Sequence, residues 1–197
     1  MAKSFKPETL QKNIIAALQA RIDNAPNENQ ADNLRAELKM FEGKAGAYVL
    51  ESLQSLEVNM SELFAKIAIY ESRNADFIAV YALQKIRKAA FALAHKQVTY
   101  FDKYTNSIVR NLAQLQSLDN LNTQRAICSK IELDALQTEQ AVRVYHNCNP
   151  STASTQASST RMMLKHLNIC TVRKGAKGDS ISFADSKTSQ LIQELYA

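Results

Sequence analysis

A chain of 197 residues, 46% hydrophobic and 22% charged, is long enough for one good core or for two small ones in series. Four glycines, three prolines, no tryptophan and an excess of alanine, leucine, glutamine, lysine and glutamate in the first two thirds predict a mainly α fold. A net charge of +5, no apolar run near the roughly 18 residues of a membrane span, no signal-like N-terminus and an odd number of cysteines argue against a membrane protein or a secreted disulfide scaffold. The expected location is the cytoplasm, of a bacterial cell or of the host cell of a virus.

The first helix is expected from Pro7, a favoured first helical position, with Leu10, Ile14, Leu18 and Ile22 on one stripe. The second carries Leu34, Leu38 and Phe41 and stops at Gly43. A third is expected over 44–73, with a break near Asn59 and a stripe of Ala45, Val49, Leu53, Leu56, Met60, Leu63, Ile67 and Tyr70.

The fourth segment, 75–118, contains neither glycine nor proline, and from Phe91 it follows a seven-residue repeat. Phe91, Val98, Thr105 and Leu112 hold one core position, and Ala94, Phe101, Ile108 and Leu115 the other. Sustained heptads predict a supercoiled helix pair. Phe91, Val98, Phe101, Ile108, Leu112 and Leu115 are thus the candidate oligomerisation residues, in a homodimer. An internal antiparallel pairing with the third helix is the alternative.

After Leu118 the texture changes, and the polar run Asp119-Asn120-Leu121-Asn122-Thr123 marks an expected boundary between a helical domain, 1–118, and a small domain, 119–197. Positive charge is densest at that end. Residues 1–126 hold 16 basic and 13 acidic side chains, whereas 151–197 hold 6 and 3.

Helices are predicted over 122–136 and 138–147, then a turn at Cys148-Asn149-Pro150-Ser151, then a helix over 153–167. Its inward stripe is Ala153, Ala157, Thr160, Leu164 and Leu167. Two β-prone runs, 169–174 and 179–183, flank the turn Gly175-Ala176-Lys177-Gly178 and predict a β-hairpin with Ile181 and Phe183 inward. A last helix, 186–196, offers Leu191, Ile192 and Leu195.

Helix, helix, turn, helix, basic hairpin, helix resembles the winged helix-turn-helix superfamily over some 75 residues. In that resemblance Ser158-Ser159-Thr160-Arg161-Met162-Met163-Leu164-Lys165-His166-Leu167-Asn168-Ile169 takes the place of the recognition helix. A helix fits the major groove, short polar side chains bring it close to base edges, and Arg161 has the fork for guanine. Ser154, Thr155, Ser158, Ser159, Arg161, Met162, Lys165 and His166 lie opposite the apolar stripe, and Arg173, Lys174 and Lys177 cluster on the hairpin to meet the DNA backbone.

The expected function is therefore double-stranded DNA binding, as a dimeric transcriptional regulator. The alternative is a helical structural or assembly protein, such as a virus-encoded scaffold or DNA-packaging subunit. His146-x-Cys148 and His166-x-x-x-Cys170 supply zinc-type donors, but the spacing matches no common zinc module, and cysteine is often a small buried residue. No metal and no cofactor are expected. His95, near the seam, reads as a packing or surface residue, and Lys85-Ile86-Arg87-Lys88 as a solvated face. No Gly-rich phosphate loop, Gly-x-Ser-x-Gly or paired carboxylate set is present, so an enzyme is not expected.

Overall fold

The computed structural model describes residues 6–69, 77–115, 117–118, 148–173 and 180–197, and is mostly helical. The chain divides into two compact units, 1–94 and 95–197. No described helix is long and apolar enough to cross a membrane.

The first unit is a set of packed helices. α1 (Pro7–Asp23) starts at the expected proline and buries Leu10, Ile14 and Leu18. Arg21, not Ile22, takes the next inward position, with its guanidinium 4.8 Å from the centre of the Phe77 ring. α2 (Glu28–Glu42) is capped by Asn27, which accepts from the Gln30 amide at 3.0 Å, and buries Leu34 and Phe41. α3 (Lys44–Ser55) follows after Gly43 alone.

The break expected near Asn59 is present, and the segment from Lys44 to Ile67 is two helices. Glu57 adopts a left-handed φ of 62°, and Asn59 then caps α4 (Met60–Ile67) by accepting from the Glu62 amide. The inward stripe Val49, Leu53, Leu56, Met60, Leu63 and Ile67 survives the break, because the turn returns the chain to the same core. Tyr70 lies outside the described residues. α5 (Val80–His95) closes the unit and buries Ala82, Leu83, Ile86, Ala89, Ala90, Ala92 and Leu93.

The continuous heptad helix is not formed. α5 ends at His95, Lys96 sits at φ 52°, and a 3-10 turn (Val98–Tyr100) and extended Phe101 follow. Asp102 then starts α6 (Lys103–Leu115), its Oδ1 accepting from the amides of Tyr104 at 3.1 Å and Thr105 at 3.0 Å. A short acceptor side chain at a helix start competes with helix continuation, and here the local cap wins over the seven-residue period. The compact division falls after Ala94.

In the second unit, α6 leads into β1 (Ser117–Leu118), and the expected helices over 122–136 and 138–147 lie outside the described residues. α7 (Pro150–His166) begins three residues earlier than expected. Asn149 caps it by accepting from the Thr152 amide at 2.8 Å, and Pro150 takes the first turn, where its missing N–H costs nothing.

β2 (Cys170–Arg173), β3 (Ser180–Phe183) and α8 (Lys187–Tyr196), capped by Ser186, complete the unit. The hairpin is as expected, but it belongs to a three-stranded antiparallel sheet of order β1-β3-β2, with Leu118 opposite Ile181 and Val172 opposite Ile181 on the other side. Ile181 is fully buried, Phe183 half-buried.

Candidate functional site

α7 is built with one closed and one open side. Ala153, Ala157, Thr160, Met163, Leu164 and Leu167 are buried, so the inward stripe is the expected one with Met163 added. Alanines in the first two turns let the helix lie close against its support, and the leucines anchor the last turn. α6 and β2 are its packing partners.

Of the residues expected to face a ligand, Ser154, Thr155, Ser158 and Lys165 are exposed, and Arg161, Met162 and His166 are half-buried. Ser159 is not available. It is 4% exposed, and its hydroxyl donates back along the helix to the carbonyls of Thr155 at 2.8 Å and Gln156 at 3.2 Å. With Met163 one turn on, it widens the buried arc beyond the sequence stripe. Helix periodicity gives the direction of a stripe but not its width.

The end of α7 is tied tightly to the strands. Asn168 closes the helix at φ 54°, and the Ile169 amide donates to the Leu164 carbonyl at 2.8 Å. The carbonyls left at that terminus are claimed by the start of α8: Ser186 Oγ donates to Asn168 O at 2.6 Å and Thr188 Oγ1 to Leu167 O at 2.8 Å. The Ala184 amide reaches Ile169 O at 2.9 Å. The hairpin base is thereby fixed to the C-terminal end of α7, the end that carries Arg161 and Lys165.

On the hairpin, Thr171, Val172 and Arg173 are exposed. Lys174 and Lys177 lie outside the described residues. The second unit holds 12 Lys and Arg against 8 Asp and Glu, while the first holds 12 against 11. Residues 140–178 contain no Asp or Glu and six Lys or Arg.

The candidate oligomerisation residues do not form one surface. Phe91 stacks on Tyr48 of α3 within the first unit, ring centres 5.5 Å apart. Phe101 is 7% exposed, and Ile108 and Leu112 are fully buried in the second unit. Val98 sits in the 3-10 turn, and the Leu115 side chain lies outside the described residues. Their shared period is real, but a helix broken between Lys96 and Asp102 cannot present it as one seam.

His95 is exposed and stacks on Tyr100, ring centres 5.0 Å apart. Lys85 is buried, and Arg87 is held by Glu37, so the basic run on α5 is not simply a solvated face. Of the possible zinc donors, Cys128 and His146 lie outside the described residues. Cys148 and His166 are half-buried, and Cys170 is buried, its thiol pushed up to about 12 by desolvation. No group of three or more His, Cys, Asp or Glu among the described residues could hold a metal ion.

Sequence reasoning placed Thr105 in the core but missed Asp102, which starts α6 and accepts from the Thr105 hydroxyl. The signal was present in the spacing Asp102-x-x-Thr105, a capping pattern overlaid by the heptads. No protein-family model matches the chain, and no curated protein or solved structure matches it.

Proposed function

We propose that residues 95–197 form a winged helix-turn-helix domain that binds duplex DNA, with α7 as the recognition helix, the β2–β3 hairpin as the wing and transcriptional regulation as the role. The observation that carries the reading is the pairing of β1 with β3. It ties the hairpin to the strand that follows α6, so α7 and the hairpin share one scaffold. The reading needs a further helix between β1 and α7, where the periodicity of 138–147 offers Ala141, Val144 and Tyr145.

The exposed face of α7 supports a groove ligand. Ser154, Thr155 and Ser158 are short and neutral, which favours close approach to base edges, Arg161 carries the fork for guanine, and Lys165 and the hairpin's Arg173 supply phosphate contacts. The acid-free run 140–178 favours a polyanion over an acidic peptide of few charges, because a polyanion releases counterions along its whole contact. Dimerisation, if it accompanies DNA binding, has to use a surface other than the heptad seam.

Fluorescence anisotropy with a labelled duplex tests the reading. The full chain is expected to bind at low salt, with log K falling linearly against log salt. The variant R161A/K165A/R173A is expected to lose affinity and to flatten that slope by about 0.9 for each phosphate contact removed. Absence of binding at low salt, or a triple variant that binds as the wild type does, overturns the reading in favour of a helical assembly protein.

A further inference from the structure

The buried side of α7 is apolar except at Ser159, which satisfies itself within the helix, and at Thr160, which does not. Thr160 is fully buried, and its Oγ1 lies 3.3 Å from Oγ1 of Thr105, itself 1% exposed, on α6. Thr105 Oγ1 lies 2.8 Å from Oδ2 of Asp102. The other oxygen of that carboxylate caps α6 through the amides of Tyr104 and Thr105.

The proton positions follow from chemistry. A carboxylate accepts only, so Thr105 spends its single hydroxyl proton on Asp102. Its oxygen is then an acceptor toward α7, and the proton between the two threonines belongs to Thr160. The three side chains form a directed chain, Thr160 to Thr105 to Asp102, running from the middle of α7 to the cap of α6. Asp102 is held in turn by two amides, so the chain ends on a fixed point.

Such a chain does what the alanines and leucines around it cannot. An apolar ridge tolerates rotation of the helix by some degrees at small cost, because dispersion and burial are not directional. A hydrogen bond weakens steeply off-axis, and the fully buried Thr160 hydroxyl would lose its partner on α6. Rotation of α7 about its axis would separate Thr160 Oγ1 from Thr105 Oγ1.

We infer that Thr160, through Thr105 and Asp102, is a positioning residue that sets the rotation of α7 about its own axis and so aims Ser154, Ser158, Arg161 and Lys165 outward. The functional half of this inference rests on the duplex-binding reading, the structural half does not.

The test uses the full chain with T160V, which keeps shape and loses the hydroxyl, and T160S, which keeps the hydroxyl. Residual dipolar couplings of the amides of 151–166 vary periodically along a helix, and their phase reports its rotation. T160V is expected to shift that phase and to weaken duplex binding about tenfold, the scale of one misaligned base contact. T160S restores both. If T160V does not fold, T105V carries the same expectation from the other end of the contact.

An unchanged phase in the folded variant overturns the inference, as does a shifted phase with undiminished duplex affinity. A shifted phase in a protein whose wild type binds no duplex removes the DNA reading and upholds the positioning of α7.

Discussion

Glu37 of α2 accepts two hydrogen bonds from Arg87 of α5, Nη2 to Oε1 at 2.8 Å and Nε to Oε2 at 3.1 Å, across fifty residues of sequence. The carboxylate is only 2% exposed, and the bidentate fork supplies the directionality that an apolar helix contact lacks. Truncating either partner strands a buried charge. E37A or R87A is expected to cost about 3–5 kcal/mol in chemical denaturation, and the double replacement E37M/R87M to recover most of it. A double variant as unstable as the singles contradicts this account.

Gly46 of α3 lies against the backbone of Phe41 on α2. A Cβ there would stand 2.5 Å from the carbonyl oxygen of Phe41 and 2.6 Å from its Cα. Those are backbone atoms and cannot swing aside. G46A is expected to lower stability by about 1–3 kcal/mol despite alanine's better helix propensity, read from the thermal midpoint. A neutral or stabilising substitution would show that the corner is looser than its geometry.

Ile108 and Leu112 fall on the heptad positions but are fully buried within their own unit. I108A and L112A are each expected to cost about 2–5 kcal/mol of stability through the cavity left behind. Light scattering should find the oligomeric state of the folded variants equal to that of the wild type. A change of oligomeric state without loss of stability would restore the seam.

Cysteine reactivity separates the two described thiols. In a C128S background at pH 8, a thiol reagent is expected to modify half-buried Cys148 and to leave Cys170 intact until the protein unfolds. Burial raises the Cys170 thiol to about 12, so the folded state keeps its proton where the unfolded chain, titrating near 9.0, has released it. The unfolded state then binds fewer protons, and this group lowers stability progressively as pH rises from about 9 to about 12. C170A should remove that part of the alkaline loss.

Much of this architecture is written locally. Pro7, Asn27, Asn59, Asn149 and Ser186 mark helix starts, and the spacing of Leu10, Ile14 and Leu18 or of Ala153, Ala157 and Leu164 gives each helix its inward side. The hairpin follows from β-prone runs around a glycine-bounded turn. Where sequence reasoning failed, two local signals competed. The period through Phe91, Phe101 and Ile108 argued for one helix, Asp102 for a new start, and no count of matches says which is worth more free energy.

The chain by itself determined where most of the helices start, that a β-hairpin follows α7, the apolar side of most helices, and that the cations gather toward its end, because capping, periodicity and charge act between near neighbours in sequence. Only the tertiary structure decided that α6 belongs with α7, that β1 closes the sheet, that Ser159 is covered and that Thr160 meets Thr105. Those outcomes depend on which surfaces pack together and at what rotation, a choice made among groups 55 residues apart and more.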